Sequence, residues 1–521
     1  MELRNQCRSE AIQGIYGINI SRITLIPFIA LFFLFLFSAT AYPIPKEIEE
    51  ALKLNRINHY DEAIQLIEKA LREEKIKPDI TTAYTVGRIL YRKGEFYHEL
   101  SEINFITTQS YLEEIVRKEK PTPPELKLFL GISYFFMKQY VESAGILTQV
   151  AGKGILREPL AGYSSAYMAA SYYMSGEKDR AFEIFNKLEK STPLSASVTG
   201  YLYSYLGINP SKGEEIAKWA FEKMGEVGKK YRSILTLNYA YTLMKAGNYE
   251  EAYRIVKGVD LDVPLYIYKP LKFKEVRLYD LSMVDSYAKI IFGEAIKNLE
   301  PIALSSSGEL ASFASFYVAQ MYLYLGEIDK SFRYAQKARR LSVASSLTMV
   351  RAIALENSLK IMTGKERKAL KVLSAEIEKI FARPSTLLEM MYVVINSGVP
   401  YEKTKDLVAK VESFIYDTQW NRTRRDSALL GELALYSGRT IKAIYYLERA
   451  RDKGNKNKIE TNDPEFLLKL AYVYYLREYY SESLEILFAL GKHFTGIRLL
   501  QNNFQSIYSY KQRGSGEAFI E

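Results

Sequence analysis

Cysteine, histidine and tryptophan are scarce in this sequence of 521 residues. The one cysteine, Cys7, excludes an intramolecular disulfide framework and a zinc site built from cysteines. The three histidines, His59, His98 and His493, form no HExxH metal pair, and we interpret His59 and His98 as surface turn residues. G-x-S-x-G, G-x-G-x-x-G and Walker A segments are also missing. We therefore expect no enzyme activity, no cofactor and no metal site.

Tyrosine is the residue in excess, with 42 copies, within an otherwise ordinary composition. A hydrophobic content of 48% and a charged content of 25% exclude wholesale disorder. The net charge of +10 is modest for this length, and basic and acidic residues are interspersed. We therefore expect no nucleic-acid partner, and we interpret local basic spots such as Arg339–Arg340 as solvated helix ends.

The first 41 residues are typical of an export signal. Arginines precede an uncharged apolar run at 23–37, and Ala39 and Ala41 occupy the small-residue positions before a cleavage point. We expect cleavage after Ala41; the alternative is a single N-terminal membrane anchor at 23–42. In both cases the positive-inside rule places residues 42–521 across the membrane, and the bacterial periplasm is the expected compartment.

A phrase resembling "MKAGNYEEAYRIVKGV" (244–259) returns along the chain. Gly247 is expected to end one helix in the left-handed conformation, and Asn248 to cap the next with Glu251 as its capping-box partner. Ala252 and Val256 then lie on one stripe of the second helix. The repeating unit is therefore a helix, a tight turn and a second helix.

The register can be followed through the position that Ala252 occupies. Mostly small residues recur there, because antiparallel helices approach closely only where side chains are small. This recurrence predicts an all-α solenoid of about twelve stacked helical hairpins. We call this position the slot. The slot residues are Ala63, Leu100, Ser143, Ala181, Ala217, Ala252, Ala295, Ser331, Ala369, Leu407, Ala443 and Ser483.

Six stretches resemble the tetratricopeptide repeat family, whose pattern combines a large residue, a small one, an aromatic or apolar one, and a second small residue on the second helix of the same hairpin. The resemblance implies an α-α superhelical solenoid, and because the family is defined by packing residues it implies no particular partner. The matches are Leu130-Gly131-Tyr134-Ser143-Leu147, Met168-Ala169-Tyr172-Ala181-Phe185, Tyr239-Ala240-Leu243-Ala252-Val256, Val318-Ala319-Tyr322-Ser331-Ala335, Leu430-Gly431-Ala434-Ala443-Leu447 and Leu470-Ala471-Tyr474-Ser483-Leu487.

We expect an N-terminal array at 44–260 and a C-terminal array at 275–495, followed by a capping helix and a frayed tail at 496–521. The segment between the arrays, 259–274, is aromatic and punctuated by proline. It has two interpretations: a segment packed along the solenoid where a repeat has deteriorated, or an element that contacts a partner.

The resemblance also implies that the first helix of each hairpin lines a concave side. Projection from the small positions predicts an aromatic groove there, which suits an amphipathic helix or an extended peptide. The alternative is that these side chains fill the packing between repeats. The predicted groove residues are Phe135, Phe136, Tyr173, Tyr241, Met244, Tyr324, Tyr436, Tyr472 and Tyr475.

The sequence thus predicts a non-catalytic, exported scaffold or adaptor that binds a protein or peptide partner in the cell envelope. The alternative is a polysaccharide-binding component of an envelope export or assembly machine. Contact with the membrane is expected only through the N-terminal segment.

Overall fold

The computed structural model describes residues 44–118, 120–152, 154–269, 275–305, 307–417 and 420–517. The predicted signal or anchor lies outside the described residues. Apart from one two-stranded β-hairpin, the regular structure of the described residues is helical. The predicted all-α fold class is confirmed.

The helices follow one another mainly as pairs. The first helices of the pairs are α1 (Lys46–Arg56), α4 (Pro124–Phe136), α6 (Leu160–Met174), α8 (Pro193–Tyr205), α10 (Arg232–Lys245), α13 (Glu309–Tyr324), α15 (Leu347–Met362), α17 (Pro384–Asn396), α19 (Arg424–Tyr436) and α21 (Pro464–Leu476). The second helices are α2 (Tyr60–Arg72), α5 (Tyr140–Thr148), α7 (Lys178–Leu188), α9 (Pro210–Glu222), α11 (Tyr249–Val256), α14 (Ile328–Leu341), α16 (Glu366–Ile380), α18 (Tyr401–Asp417), α20 (Thr440–Ala450) and α22 (Tyr480–Leu490).

Three further helices and one hairpin complete the regular structure. They are α3 (Ile80–Lys118), α12 (Ser282–Ser305), the C-terminal α23 (Arg498–Glu517), β1 (Pro264–Tyr268) and β2 (Val276–Tyr279). Three short 3₁₀ turns lie at Met224–Glu226, Lys229–Tyr231 and Ile459–Thr461.

The chain folds into two compact units, each assembled from discontinuous stretches. Unit 1 comprises residues up to Ile89 together with Asn298–Ser437, and unit 2 comprises Leu90–Lys297 together with residues from Gly438 onward. Both units therefore contain helices from each of the two arrays, 44–260 and 275–495, and that division stays a prediction about the repeat register.

The slot residues have the burial that hairpin packing requires. All twelve are buried, and the most exposed of them, Leu407, is 5% exposed. Where the slot holds serine, the hydroxyl donates a 2.7 Å hydrogen bond across the pair to the first helix, so this buried hydroxyl is satisfied. These bonds join Ser143 to the Gly131 carbonyl, Ser331 to Ala319 and Ser483 to Ala471.

The α8–α9 pair makes its close approach at Gly213, ahead of the predicted slot residue Ala217. A Cβ atom added to Gly200 would lie 2.6 Å from the Gly213 carbonyl oxygen, and one added to Gly213 would lie 2.8 Å from the Gly200 oxygen. Gly213 is the fourth residue of its helix, as Ala252 is in α11. Two glycines therefore bring these helix backbones together where other pairs use alanine or serine.

The turn inside each pair uses the left-handed conformation. Gly247 has φ +90°, as predicted, and ends α10. Three other pairs place a residue with a side chain at this turn, namely Asn58, Lys138 and Glu478, with φ between +61° and +65°. Side chains make this conformation unfavourable, so these three turns carry strain that the glycine turns avoid.

The predicted capping box at Asn248 and Glu251 is wrong. The Asn248 side chain makes no capping hydrogen bond, and its backbone N–H donates instead to the Leu243 carbonyl at 2.9 Å. Arg254 Nε donates to Glu251 at 2.8 Å. The backbone turn thus satisfies the Asn248 N–H, for which the sequence suggested Glu251 as the acceptor.

The hairpins predicted around Leu100 and Ala295 are also wrong, because both residues lie inside single helices, α3 and α12, of 39 and 24 residues. Glycines in these two helices allow neighbouring side chains to pack directly against the helix backbone. A Cβ atom on Gly94 would lie 2.4 Å from the Phe292 ring, and one on Gly293 would lie 2.7 Å from the Tyr249 ring.

The segment between the arrays forms the β1–β2 hairpin, which packs against α23 within unit 2. Asp262 accepts a hydrogen bond from the Arg498 backbone N–H at 2.9 Å. The Asn502 side chain accepts from the Arg277 N–H at 3.3 Å and donates to the Arg277 carbonyl at 3.0 Å, so it covers the edge of β2. This packing favours the first interpretation of the segment.

Candidate functional site

Four of the nine predicted groove residues are buried. Phe135, Phe136, Tyr241 and Met244 are between 1% and 7% exposed, so the prediction that they line an open groove is wrong. The remaining five are half-buried: Tyr173, Tyr324, Tyr436, Tyr472 and Tyr475.

Helix α12 covers the first helices of unit 2. A Cβ atom on Gly293 would lie 2.9 Å from Met244 Cγ, and Lys289 Nζ lies 4.7 Å from the centre of the Tyr205 ring. The α12 residues Ile290 and Phe292 are themselves fully buried. Helix α12 is therefore a core helix packed against α8 and α10, in the place where the sequence predicted a partner.

Helix α3 covers α4 in the same way. The Phe136 ring stacks on Phe105 of α3, with centroids 4.8 Å apart and an interplanar angle of 4°. The Phe135 ring makes an edge contact with Tyr167 at 5.4 Å and lies 6.0 Å from Tyr205. The aromatic residues of α4, α6 and α8 thus pack on one another and on α3, which agrees with the alternative interpretation that these side chains fill the packing between repeats.

Buried polar contacts tie the start of α12 to α6. The Asp280 carboxylate accepts hydrogen bonds from the Tyr163 hydroxyl at 2.7 Å and the Ser282 backbone N–H at 2.8 Å. Burial raises the pKa of Asp280 above its ordinary value. Lys289 donates to Asp285 at 2.7 Å. Burial opposes the charge of Lys289, but Asp285 outweighs it and raises the pKa of that lysine.

Helices α3 and α23 cover α21, which carries two more of the predicted groove residues. The Tyr475 ring stacks on Phe504 of α23, with centroids 4.0 Å apart. Lys469 Nζ lies 3.2 Å from a carboxylate oxygen of Glu99 on α3. Burial raises the pKa of Tyr472. Tyr472 and Tyr475 are therefore largely used in packing within unit 2.

Tyr173 lies near the turn of its own pair, α6–α7. Its ring makes an edge contact with Phe182 at 5.9 Å, and Lys178 Nζ lies 5.4 Å from its centre. These neighbours come from α7, so the position of Tyr173 is set locally.

Unit 1 contains the last two predicted residues, Tyr324 and Tyr436. The Tyr436 hydroxyl donates to the Val399 carbonyl at 2.6 Å and lies 2.6 Å from the Thr404 hydroxyl. Thr404 is the buried fourth residue of α18 and takes the place of the slot residue that the sequence assigned to Leu407. The ring of Tyr436 remains half-buried.

An ion cluster in unit 1 was missed by the sequence analysis. Glu389 of α17 accepts hydrogen bonds from Arg351 Nη2 of α15 at 3.0 Å and from Arg425 Nε of α19 at 3.1 Å. Burial favours the neutral acid, but the two guanidinium groups outweigh it and lower the pKa of Glu389 to about 2. One carboxylate thus links three consecutive first helices.

A register signal could have revealed this cluster. Arg351 and Arg425 each lie six residues before the residue that occupies the small position of the repeat pattern in their helix, Asn357 in α15 and Gly431 in α19. The same position of α10 in unit 2 holds Ile234, which is buried. The sequence signal is an arginine at this position in two alternate pairs, together with a glutamate on the first helix between them. This pattern predicts a carboxylate shared by two arginines.

We call the side of α13, α15, α17 and α19 that carries this cluster the first-helix face of unit 1. It combines partly exposed aromatic, apolar and charged groups: the Arg425 side chain is 40% exposed and lies over the Tyr392 ring at 5.0 Å, and Met362 is 43% exposed. The face comprises Tyr324, Arg351, Met362, Glu389, Tyr392, Arg425 and Tyr436.

The described residues contain no group of three or more His, Cys, Asp or Glu side chains that could hold a metal ion. His59 lies at the start of α2 and contacts Glu62. The prediction that His98 is a turn residue is wrong, because α3 continues through it and its ring lies 6.3 Å from Phe292.

A search of the described ranges for a helix that is both apolar enough and long enough to cross a bilayer finds none. The expected anchor at 23–42 lies outside those ranges.

No protein-family model and no curated protein matches this sequence. Solved structures do match. Yeast Tom70 is 13% identical over 90% of this chain and 95% of its own, with a TM-score of 0.31. The P58(IPK) TPR domain is 14% identical over 75% and 99%, with a TM-score of 0.19. The human IFIT1 dimer with PPP-AAAA is 17% identical over 81% and 95%, with a TM-score of 0.23.

At these identities and TM-scores the matches identify no partner or activity for this chain. The fold follows from its own contacts: paired helices, buried small residues at the slot, and serine-to-carbonyl bonds of constant spacing. On these contacts the described chain has a tetratricopeptide-like helical fold.

Proposed function

We propose that this protein is a non-catalytic scaffold that binds a protein or peptide partner through the first-helix face of unit 1. The supporting observation is a contrast between first helices. Those of unit 2 are covered by α3, α12 and α23 except at their last residues, such as Met174 and Leu476, which are 40% and 42% exposed, whereas in unit 1 the Arg425 side chain, near the start of α19, is also 40% exposed. Successive first helices place such side chains in a row, which suits an extended or helical segment of a partner.

The ion cluster adds preorganisation to this face. Glu389 holds the Arg351 and Arg425 side chains in fixed positions. A partner that contacts the face therefore meets side chains whose rotamer freedom is already restricted, which lowers the entropic cost of binding.

Site-specific photocrosslinking tests this proposal. A benzophenone side chain at Met362 is compared with one at Phe488 on α22, a second-helix residue of unit 2 whose exposure, 45%, is close to the 43% of Met362. In cells we expect a defined protein adduct at Met362 that is at least about fivefold stronger than any at Phe488, and that forms again with the purified partner.

Equal adducts at the two positions would contradict the proposal. An adduct to a glycan at Met362 would support the polysaccharide-binding alternative instead.

We also propose that the chain is exported and that its N-terminal segment is removed after Ala41. The basic, apolar and small-residue pattern of residues 1–41 supports this, as does the restriction of cysteine to Cys7. Mass spectrometry of fractionated cells should find Tyr42 as the N-terminus in the periplasmic fraction. Intact protein in the membrane fraction would indicate an anchor, and intact protein in the cytosol would contradict export.

A further inference from the structure

The outer side of α14 in unit 1 carries a row of basic side chains. Arg333, Lys337 and Arg340 follow one another at i, i+4 and i+7, so they lie on one stripe of the helix. Arg333 and Arg340 are exposed and Lys337 is partly exposed. Within the described ranges none of the three has an ion-pair partner.

The acidic groups near this row are few or already engaged. Glu327 lies 3.8 Å from Lys330, and Glu356 lies 2.9 Å from Arg339. Asp329 is the single acidic residue of α14, which has five basic ones. The positive charge of the row is therefore not balanced by the helix that carries it.

The next second helix along the chain, α16, also carries exposed basic side chains, Lys368 and Lys371. Its three glutamates are paired with other lysines, in the pairs Glu366–Lys403, Glu376–Lys379 and Glu378–Lys410. Helices α14 and α16 both pack against α15. We call the row on α14, Arg333, Lys337 and Arg340, the basic face of unit 1.

We propose that the basic face binds an acidic segment of a partner protein. The row on α14 spans about 10 Å along the helix axis, since each residue rises 1.5 Å. Carboxylates at i, i+4 and i+7 of a partner helix have the same spacing and the opposite charge. Such exposed pairs are individually weak and are screened by salt, so binding should need several of them at once.

Two other anionic partners fit this face less well. A membrane surface requires large apolar side chains that insert beside the basic ones, whereas the apolar side of α14, with Ala335 and Ala338, is fully buried in its own pair. The exposed apolar residues nearest the basic ones in sequence are two valines, Val343 after α14 and Val372 on α16, which offer little area for insertion.

Single-stranded nucleic acid requires aromatic rings for stacking. The two α14 aromatics, Phe332 and Tyr334, are half-buried and engaged: Lys360 Nζ lies 5.8 Å from the centre of the Phe332 ring, and the Tyr334 hydroxyl donates a hydrogen bond to Glu300.

The test measures binding of the purified full chain to a fluorescent helical peptide with Glu at i, i+4 and i+7. A matched peptide has Gln at the same positions. At low salt the Glu peptide should bind at least about tenfold more tightly than the Gln peptide, and raising the salt should remove the difference. The triple variant R333E/K337E/R340E should lose at least about tenfold in affinity for the Glu peptide.

The control variant K453E/K456E/K458E makes the same change in net charge in the polar segment before α21. It should change the affinity by less than about twofold. An equal loss in both variants, or no preference for the Glu peptide, would overturn the proposal. Binding of phosphatidylglycerol vesicles or heparin that the α14 variant removes, without any binding of the Glu peptide, would overturn it in favour of a lipid or polyanion ligand.

The proposal that the basic face binds an acidic segment does not depend on the proposal that the first-helix face binds a partner. Crosslinking at Met362 tests that face with α14 unchanged, so either proposal can fail while the other stands.

Discussion

The two units use the same hairpin register but treat their first helices differently. In unit 2 the positions that project from the first helices are mainly aromatic, and α3, α12 and α23 pack on them. In unit 1 the corresponding side includes Arg351, Glu389 and Arg425, which bind one another across three helices. The buried slot residues, by contrast, are alike in both units.

This comparison separates the two tasks of a repeat. The slot residues determine how a hairpin closes, and they do so locally. The residues that project from the first helices differ according to what lies against them. In unit 2, where the chain's own helices pack, they are mainly aromatic; on the partly exposed face of unit 1 they include charged groups. A tyrosine-rich projecting side is therefore evidence for internal packing as much as for a partner.

The largest expected effect comes from truncating an aromatic residue under a covering helix. Phe135→Ala in unit 2 should lower the free energy of unfolding by about 3–5 kcal/mol, because the side chain is fully surrounded. Tyr324→Ala in unit 1, at a half-buried ring, should cost less than about 2 kcal/mol. Urea denaturation measures both, and equal losses would contradict the distinction between the units.

The next effect concerns the buried carboxylates and should be larger in unit 1 than in unit 2. Glu389→Gln in unit 1 should cost about 3 kcal/mol near pH 7, because two arginines lose their shared carboxylate. Asp280→Asn in unit 2 should change stability by less than about 1 kcal/mol, because Asp280 has no ion-pair partner among the described residues and an amide can keep the hydrogen bond from Ser282.

The pH dependence of these variants follows from the pKa shifts. The lowered pKa of Glu389 means that its contribution is complete above about pH 4.5 and is lost as the pH falls towards 2. The raised pKa of Asp280 means that its contribution is complete below about pH 3.8 and is lost as the pH rises through the raised value. Stability should therefore decrease less on acidification in Glu389→Gln than in the unmodified chain, and decrease more in Asp280→Asn. Melting curves recorded over a range of pH measure both decreases, and the reverse pattern would refute these assignments.

Slot substitutions should affect the two units alike. Ala252→Leu in unit 2 and Ala369→Leu in unit 1 should each cost about 1–3 kcal/mol through overpacking, since both residues are fully buried. Lys456→Ala, at an exposed position, should stay within about 0.5 kcal/mol. If the two alanine variants melted like the lysine variant, the register would be wrong.

The smallest effect concerns the strained turns. Lys138→Gly in unit 2 should raise stability by about 0.5–1 kcal/mol, because glycine adopts the positive φ of this turn without strain. Asn58→Gly in unit 1 should lower stability instead, because the buried Asn58 side chain accepts a 3.1 Å hydrogen bond from the Tyr60 hydroxyl that glycine cannot replace. Thermal melting of the two variants checks this order, and a loss of stability in Lys138→Gly would contradict it.

The sequence predicted the hairpin register because its determinants are close in the chain. Ala252 follows Gly247 within one turn and packs on the helix just before it, so local spacing identifies both. The continuous helices α3 and α12 could not be recognised in this way. Gly293 resembles a turn glycine in sequence, and its packing role depends on Met244 and Tyr249, which come from earlier helices.

The candidate site was predicted less well for the same reason. The burial of Phe136 depends on Phe105 of α3, a helix that the repeat pattern had divided in two. The ion cluster requires three helices to be placed side by side before Arg351, Glu389 and Arg425 can be seen to meet. Such pairings are set by the stacking of hairpins and not by spacing within any one of them.

Helix α12 covers the first helices of unit 2 as part of the core. Native-state hydrogen exchange of α12 tests this arrangement most directly. The amides of Ile290, Ile291 and Phe292 should exchange only through global unfolding, with protection equal to that of the most stable helices. Exchange of these amides as fast as that of the exposed segment 453–456 would mean that α12 leaves the first helices readily, and would contradict the account.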